Sequence, residues 1–394
     1  MNDFKKGMVY GFILCVIAYL GLNIASVTYG RYFSREGALE NKAKIIYNTL
    51  KEKYPEDIDI DNMFEGIYTG MVYNVTDKYS RYISKEDYEA YKASTQGNYC
   101  GIGALTTYNK EVNMMEIKSI YQDSPSEKAG LKPRDFVTKI NDMKVTANNY
   151  YEAIDLIHGE EGTKFNMTIY RPSEDRTLTL EITRAYIDVP TVATNVIEST
   201  GYMRITAFDE VTKKQFEEAV KKLRASNITG LIIDLRNNPG GLLDTVSDIA
   251  DYFMPEGTIT YTENKQGERK YVYSDKEHWE IPVVILTNEN SASASELLTG
   301  ALKDCGIAKI VGTNTYGKGV VQTTFPFKDG SALKITTAKY YTPKGVCIDK
   351  VGIAPDVKIE ANEDFVLEAI TNDVAEYNME EDVQLKKAYE VLNS

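Results

Sequence analysis

The feature that most constrains the fold is a series of apolar runs, each followed by a helix-like segment, in the second half of the chain. Gly230–Leu235 and Val283–Leu286 are rich in branched apolar residues, and Ile307–Val311 follows the second helix-like segment. Such runs are typical of strands that are covered on both faces of a sheet. Their alternation with helices predicts βαβ crossovers around a mainly parallel sheet. Residues 188–361 are therefore predicted to form an α/β core.

Two regions with different patterns precede this core, and a short one follows it. Residues 31–98 carry apolar side chains at helical spacing, which predicts a helical N-terminal region. Residues 99–187 combine short strands with a helix candidate at Tyr150–His158, which predicts a small α+β module. Residues 362–394 are predicted to form a C-terminal helical segment. A multidomain α/β protein fits the length of 394 residues, because single cores stop growing at roughly 250–300 residues.

The composition excludes some classes of partner and cofactor. The formal net charge is −13 and no stretch concentrates Lys and Arg, so no nucleic-acid partner is expected. The cysteines have no CxxC spacing, and the two histidines, His158 and His278, have no HExxH motif. Neither a metal site nor another cofactor is therefore expected. The cysteines, which are expected to be packing residues, are Cys15, Cys100, Cys305 and Cys347.

An uncharged apolar stretch near the N-terminus predicts a membrane anchor. Met8–Val27 has about twenty residues, which at 1.5 Å per residue match a hydrocarbon core of roughly 30 Å. Lys5 and Lys6 precede it, so residues 1–30 are predicted to be a cytoplasmic flank and one transmembrane helix that anchors extracytoplasmic domains to the cell membrane. The alternatives are a cleaved signal peptide, for which the stretch is long, and a buried helix, which would have no polar face.

A serine-rich turn supplies a candidate nucleophile. Ser291–Glu296 lies between an apolar strand and a helix, where backbone N–H groups are free to bind an anion. Ser293 is the candidate, and the amide of Ala294 directly after it could donate to an oxyanion. The alternative is that Ser293 and Glu296 form only a capping box, S-x-x-E, at the start of the helix.

A lysine one strand later supplies a candidate base. Lys318 lies between Gly317 and Gly319 in a loop where the backbone can approach closely. A lysine whose pKa is lowered by loss of hydration can accept the proton of a serine, as in Ser-Lys variants of the catalytic triad. The alternative, a phosphate-binding loop, fails because Gly319 stands where that motif requires Ser or Thr.

A glycine pair supplies the third element. Arg236–Gly241 follows a strand and precedes a helix, so Gly240 and Gly241 could offer a backbone N–H to a developing oxyanion. Alone, the motif would be no more than a turn. With Ser293 and Lys318 it completes the set of nucleophile, base and oxyanion donors that acyl transfer requires.

Together these residues resemble the carboxyl-terminal processing peptidases, also called tail-specific proteases. The resemblance covers Gly66–Leu392 and rests on the motif SASASE and on the GKG loop that follows it. It implies that Ser293 is the nucleophile and that Lys318 is the base. In that family a glutamine orients the lysine and an acidic residue supports the site, and these positions fall on Gln322 and Asp304.

Further motifs strengthen the resemblance, and two positions depart from it. Asp77–Tyr82, Tyr340–Gly345 and Gly352–Asp356 match the family pattern. Pro239 stands in the glycine loop, and Val346 stands where a basic residue is usual. These departures leave the identity of the oxyanion donor and the shape of the subsites open.

Tyr99–Ile187 resembles a PDZ domain. Gly101, Ile102 and Gly103 match its carboxylate-binding loop, and Ser124–Asp135 matches its central stretch. The resemblance implies that an extended peptide adds a strand to the edge of the sheet while backbone N–H groups hold its terminal carboxylate. The C-terminal tails of proteins or peptides are therefore the expected partners.

The sequence thus predicts a membrane-anchored, extracytoplasmic serine endopeptidase that captures protein tails and cleaves through an acyl-enzyme. A non-catalytic PDZ adaptor or chaperone on a protease-like fold is the alternative, and the activity of a Ser293→Ala variant distinguishes the two. A Ser-His-Asp triad would need His158, which lies in the PDZ-like module, or His278, which has no partner motif. Whether the chain forms a homo-oligomer is left open.

Overall fold

The computed structural model of the chain describes residues 34–362, 365, 367 and 369–394. The predicted membrane anchor at Met8–Val27 lies outside these residues. In the described part, no helix is both long enough and apolar enough to span a membrane. The chain divides after Asn74 into two compact units.

The described part of the first unit contains two helices, each of which begins at a polar cap. Helix α1 is Arg35–Lys53 and helix α2 is Ile60–Tyr73. The side chains of Ser34 and Asp59 each accept a hydrogen bond of 3.0 Å from a backbone amide of the first turn. Such caps satisfy amides that have no partner within the helix. Both helices fall in the range where the sequence places apolar residues at helical spacing.

The second unit begins with a short strand and a helix and continues into an antiparallel sheet. In chain order these elements are β1 (Arg81–Ile83), α3 (Lys85–Gln96), β2 (Asn98–Gly101), β3 (Ala104–Asn109), β4 (Met114–Ile120), α4 (Pro125–Lys128), β5 (Phe136–Ile140), β6 (Met143–Lys144), α5 (Tyr150–Ile157), β7 (Lys164–Arg171), β8 (Arg176–Thr183) and β9 (Ala185–Asp188). The sheet has the order β3-β4-β5-β7-β8, with β6 paired to β5, while β2 pairs separately with β9. Strand β3 is thus an edge strand of this sheet.

The rest of the second unit combines a large parallel sheet with helices and a second antiparallel sheet. In chain order its elements are β10 (Val192–Ile197), β11 (Thr200–Ile205), α6 (Glu210–Ala225), β12 (Gly230–Asp234), α7 (Leu243–Asp251), β13 (Gly257–Asn264), β14 (Arg269–Ser274), β15 (Val283–Thr287), α8 (Ala294–Asp304), β16 (Ala308–Gly312), β17 (Val320–Pro326), β18 (Ala332–Tyr341), β19 (Val357–Lys358) and α9 (Val383–Leu392).

The core sheet has the strand order β10-β11-β12-β15-β16-β19 and is parallel except for the β10–β11 pair. The predicted βαβ crossovers are confirmed, because α7 lies between β12 and β15 in the chain and α8 lies between β15 and β16. Successive residues of β12 alternate between two apolar clusters, so the sheet is covered on both faces. The carboxyl ends of β12, β15 and β16 meet at one edge, and the loops that follow them become neighbours there.

A second sheet, which the sequence did not reveal, brings another segment toward this edge. It has the order β1-β18-β13-β14, with β17 also paired to β18. Arg81 in β1 lies opposite Lys334 in β18. Just before β1, the Ser80 hydroxyl accepts a hydrogen bond of 3.0 Å from the Thr336 amide. Tyr79, the residue directly before Ser80, is thereby held against the α/β core.

Residues 369–382 run along the free edge of the core sheet before α9 begins. The Thr194 amide and carbonyl in β10 both bond to this segment, at 2.9 and 3.0 Å. The Gln122 amide, from the antiparallel domain, donates to the Thr371 carbonyl at 3.1 Å. Among the described residues of the segment 362–394, predicted to be helical, only α9 is a helix, because residues of 369–382 pair with backbone groups instead.

A buried ion network fixes α9 to the core. The Arg236 guanidinium donates to both carboxylate oxygens of Asp234 and to both of Asp382, at 2.6 to 2.9 Å. The three residues are only 2%, 0% and 3% exposed. The Tyr202 hydroxyl adds a bond of 2.8 Å to Asp234. Such a network is stable only while it is complete, since an unpaired buried charge is costly.

Candidate active site

The three alternating serines between β15 and α8 differ in their hydrogen bonds. The Ser291 hydroxyl donates to the Leu235 carbonyl at 2.8 Å, and the Ser295 hydroxyl donates to the Asn238 carbonyl at 2.9 Å. Unlike these two, the Ser293 hydroxyl donates to no backbone carbonyl among the described residues, and the Tyr340 hydroxyl is its side-chain neighbour. Ser293 is therefore the serine of this turn whose hydroxyl is not fixed to a carbonyl.

The backbone of Ser293 is strained. Its φ of +57° and ψ of −114° lie outside the regions that a non-glycine residue ordinarily occupies. The Ala292 amide donates to the Asn238 carbonyl at 3.0 Å, and the Ala292 carbonyl accepts the Ser295 amide at 3.1 Å, so the turn is held from both sides. A sharp turn of this kind between a strand and a helix presents its side chain to solvent, as in the nucleophile elbow of other hydrolases.

Gly240 lies directly against this turn. A Cβ at Gly240 would stand 2.6 Å from the Ala292 oxygen and 2.9 Å from the Ala294 nitrogen, so only glycine fits. The Gly240 amide donates to Asn238 Oδ1 at 2.8 Å and is therefore engaged. The amides of Ala294 and Gly241 donate to no described group, which leaves these two of the three predicted oxyanion donors available.

The buried carboxylate of Glu296 joins the serine turn to the lysine loop. One of its oxygens accepts the amides of Ser293 and Lys318, at 2.9 and 2.8 Å. The other accepts the Thr315 hydroxyl at 2.6 Å and the Gly317 amide at 2.7 Å. Glu296 is 0% exposed, so these four donors replace its hydration. Glu296 thus caps α8 as the capping-box alternative requires, and it also sets the position of the lysine loop.

Lys318 carries a half-buried ammonium group. Its Nζ lies 4.9 Å from the centre of the Tyr79 ring. Burial, followed by the charge of Lys334, lowers the pKa of Lys318 below its ordinary value, while the Asp77 carboxylate opposes this shift. A lysine with a lowered pKa is a better general base near neutral pH, because more of it is unprotonated.

The Tyr340 hydroxyl lies between the two loops. It donates to the Ser293 carbonyl, at 2.7 Å, and to the Lys318 carbonyl, at 2.5 Å, and shares its one proton between them. Burial raises the pKa of Tyr340 well above its ordinary value, so the hydroxyl keeps that proton. The Tyr316 amide adds a bond of 3.0 Å to the Ser291 carbonyl. The structure thus holds the backbones of Ser293 and Lys318 close together.

Comparison with known proteins identifies the family to which this arrangement belongs. The profile of peptidase family S41 matches residues 199–359, and a PDZ domain profile matches residues 116–171. A probable CtpA-like serine protease of Staphylococcus aureus is 35% identical over 366 residues, which make up 91% of this chain and 72% of that protein. The chain belongs to peptidase family S41. It is therefore a serine-type peptidase that carries a PDZ domain.

Solved structures of S41 peptidases resemble it as well. A putative S41 protease from Bacteroides fragilis has a TM-score of 0.53 at 15% identity and covers 86% of this chain and 92% of its own, which shows the same fold. The photosystem II D1 C-terminal processing protease is 27% identical, with a TM-score of 0.49, over 84% of this chain and 88% of its own. The family resemblance inferred from the motifs is confirmed.

Neither of the two residues expected to support the candidate site makes a described hydrogen bond to Ser293 or Lys318. Gln322, in β17, donates to the Thr336 hydroxyl at 3.1 Å and makes no hydrogen bond to Lys318. Asp304 is the last of the 11 residues of α8, so about 15 Å of helix separate it from Ser293. Its carboxylate instead accepts a backbone amide of the loop after β18, at 3.0 Å. The structure does not bring Asp304 to the site.

The histidines and the metal-binding residue types do not form an alternative centre in the described part of the chain. His158 belongs to the PDZ domain, and its ring lies 5.3 Å from that of Tyr99. His278 Nδ1 lies 3.1 Å from the Lys276 carbonyl oxygen. Neither contacts the serine turn, so nothing supports a Ser-His-Asp triad. No group of three or more His, Cys, Asp or Glu side chains among the described residues could hold a metal ion.

The predicted carboxylate-binding loop of the PDZ domain turns its carbonyls inward. The Ile102 carbonyl accepts the Ser126 amide, and the Gly103 carbonyl accepts the Tyr121 amide, both at 2.9 Å. Because N–H and C=O point in opposite directions across a planar trans peptide, the amides of Gly103 and Ala104 face the other way. Gly103 has a φ of +70°, which favours glycine. The loop thus presents two neighbouring N–H groups on one side.

Sequence reasoning missed the residues that hold the S41 site together. Glu296 was recognised only as a helix cap, and Asn238 was seen only as part of the glycine loop. Tyr79 and Tyr340 belong to motifs that match the family, yet the sequence assigns them no role. Their position within those motifs was the available signal.

Proposed function

We propose that this S41 peptidase is an endopeptidase that cleaves with a dyad of Ser293 and Lys318 and selects substrates by their C-terminal tails. The observation that best supports the dyad is the difference among the three serines, of which Ser291 and Ser295 donate to backbone carbonyls and Ser293 does not. Glu296 binds the backbone amides of both dyad residues and so sets their spacing. The amides of Ala294 and Gly241 are available for an oxyanion.

The proposed reaction follows from these positions. Neutral Lys318 accepts the hydroxyl proton of Ser293 while Oγ attacks the substrate carbonyl carbon. The amides of Ala294 and Gly241 bind the resulting oxyanion. The protonated lysine then gives its proton to the leaving amine, and the C–N bond breaks to leave an acyl-enzyme. A water molecule, deprotonated by the neutral lysine, hydrolyses the ester and restores Ser293.

Tail recognition would use the edge of β3. This strand has one neighbour, β4, in its sheet. An extended peptide can therefore add a strand there and place its terminal carboxylate at Gly101, Ile102 and Gly103. Capture by the PDZ domain would supply proximity and leave the chemistry to the core.

The dyad is tested on reduced casein with the full chain and two serine variants, each checked for folding. We expect Ser293→Ala to lower hydrolysis by at least about 10⁴-fold. Ser295→Ala is the matched control, because the Ser295 hydroxyl only holds the Asn238 carbonyl, and it should stay active. Undiminished hydrolysis by Ser293→Ala would exclude the dyad. An inactive parent chain would favour the non-catalytic adaptor.

We further propose that the catalytic part lies outside the cytoplasmic membrane and is anchored by Met8–Val27. The support is the uncharged length of this stretch and the short flank with Lys5 and Lys6. External protease added to intact spheroplasts should degrade the PDZ and protease domains. Degradation only after the membrane is broken would overturn this topology.

A further inference from the structure

We infer that Tyr99 occupies the carboxylate-binding loop of the PDZ domain in the unliganded protein and must leave it before a C-terminal tail can bind. This inference rests on the proposed tail recognition and deepens it, because it names what controls access to that site. Tyr99 would act as an internal competitor of the substrate tail.

The Tyr99 ring lies directly over the loop. A Cβ placed on Gly101 would stand 2.6 Å from Tyr99 Cε2 and 3.3 Å from His158 Cδ2. The ring centres of Tyr99 and His158 are 5.3 Å apart, and His158 directly follows the last residue of α5. The tyrosine ring therefore fills the space between the loop and the end of this helix.

The Tyr99 hydroxyl reaches the two amides that a carboxylate would need. The hydroxyl oxygen lies close to the amides of Gly103 and Ala104, which favour its charged form and so oppose the effect of burial on the pKa of Tyr99. The register of β3 and β4 agrees with this direction, because Ala104 lies opposite Ile120 while the Tyr121 amide bonds to the preceding carbonyl. In that antiparallel pattern the Ala104 amide points away from β4, toward the free edge. The hydroxyl thus takes the position expected for a terminal carboxylate.

The exchange favours a charged ligand over an uncharged one. Burial raises the pKa of Tyr99 above its ordinary value, so its hydroxyl is a neutral acceptor. Hydrogen bonds to a carboxylate are about twice as strong as those between neutral groups, so a free chain end can displace Tyr99. An internal carbonyl or an amidated end offers no such gain.

The displacement needs only a side-chain rotation. Tyr99 belongs to β2, where it lies opposite Ile187 in β9, so its backbone is held by the strand pair. The Tyr99 side chain is only half-buried. The apparent affinity for a tail would equal the intrinsic affinity multiplied by the fraction of molecules in which the ring has left the loop.

The test measures peptide binding to the full chain, with Ser293→Ala to prevent cleavage. The probe is a fluorescein-labelled decapeptide ending in Ala-Val-Ala, with either a free carboxylate or a C-terminal amide. We expect Tyr99→Phe to bind the carboxylate peptide about three- to tenfold more tightly, because the competing hydroxyl is lost, and to bind the amide peptide unchanged. Tyr170→Phe is the matched control, since the Tyr170 hydroxyl bonds to Asp175 in the same domain, and it should change neither affinity.

The outcomes separate this inference from the proposed function. If the parent and Tyr99→Phe prefer the carboxylate peptide to the same extent, tail recognition stands and the role of Tyr99 is wrong. If neither protein distinguishes carboxylate from amide, tail recognition fails and the inference fails with it. Hydrogen exchange at the Gly103 and Ala104 amides gives a readout without peptide. It should be at least about threefold faster in Tyr99→Phe, and unchanged exchange would overturn the inference.

Discussion

The S41 core and the PDZ domain each contain a glycine loop whose backbone amides can bind an anion, but the two loops differ in access. In the core, the amides of Gly241 and Ala294 are free of described partners. In the PDZ domain, the amides of Gly103 and Ala104 face the Tyr99 hydroxyl. An oxyanion exists only in the transition state, so its site must be formed in advance. A tail carboxylate exists before binding, so its site can be covered and then exchanged.

The supports of the two loops differ accordingly. The core loop is held by Asn238, Arg236 and Glu296, which are almost completely buried and hydrogen-bonded. The PDZ loop is covered by the half-buried side chain of Tyr99. A buried polar network is costly to disturb, whereas partly exposed side chains rotate within nanoseconds. The molecule is thus expected to be rigid where bonds are broken and adjustable where substrates are captured.

The largest effect on the core loop should come from removing its base. Lys318→Arg should lower kcat/KM for a short peptide by at least about 10³-fold, because a guanidinium remains protonated at any working pH. In the proposed dyad only neutral Lys318 accepts the serine proton, so the activity of the parent protein should rise with pH. Because burial lowers the pKa of Lys318, the rise should level off below the ordinary lysine value of about 10.4. The measurement is kcat/KM against pH.

The control for this prediction replaces both histidines. The double variant His158→Gln with His278→Gln should keep the same rise with pH, since neither histidine contacts the serine turn. Loss of activity in the double variant together with full activity in Lys318→Arg would reject the dyad.

The next largest effect should be on stability. Asp382→Ala leaves Arg236 buried with incomplete partners, so the free energy of unfolding should fall by about 3–5 kcal/mol. Asp373→Ala is the matched control, because its ion pair with Lys222 is exposed, and it should cost no more than about 1 kcal/mol. Urea unfolding measures both. Equal losses would show that the core loop is not held from α9.

A smaller loss is expected when Glu296 is changed to glutamine. The amide presents one oxygen and one NH₂ group, so some of the four donors around Glu296 would face another donor. We expect kcat/KM to fall by about 10²-fold, because the spacing of Ser293 and Lys318 is disturbed. Glu289→Gln, at an exposed carboxylate of the same loop, should leave kcat/KM nearly unchanged. Similar values for the two variants would contradict this role of Glu296.

The smallest effect should be confined to the PDZ loop. Gly101→Trp adds a side chain where the Tyr99 ring lies, and should block the carboxylate site. Cleavage of a tail-bearing protein should fall by about tenfold, while a peptide too short to reach the PDZ domain should be cleaved as before, since capture supplies proximity. Comparison of kcat/KM for the two substrates is decisive. An equal loss on both would refute the separation of capture from chemistry.

Local patterns single out Ser293 and Lys318 as the candidate nucleophile and the candidate base, and these roles stay a prediction. Ser293 and Lys318 each follow a strand of one parallel sheet, and strand order alone brings the ends of such strands together. The βαβ core was predictable for the same reason, because its apolar runs are continuous.

The rest depended on side-chain direction and on distant pairing. Asp304 is near Ser293 in sequence, but a straight helix carries it about 15 Å away. Tyr79 reaches Lys318 only through the pairing of β1 with β18. No local sequence pattern predicts this pairing. Tyr99 lies two residues from Gly101, and only the fold shows that its ring turns back over the loop.

The bond between Arg236 and Asp382 also has a consequence for biosynthesis, since 146 positions separate the two residues. At about 5–20 residues per second, Arg236 leaves the ribosome on the order of ten seconds before Asp382 does. During this interval the loop that carries Gly240 and Gly241 lacks its support from α9. A chain that has been synthesised only as far as α8 would therefore carry this loop without one of its two carboxylate partners for Arg236.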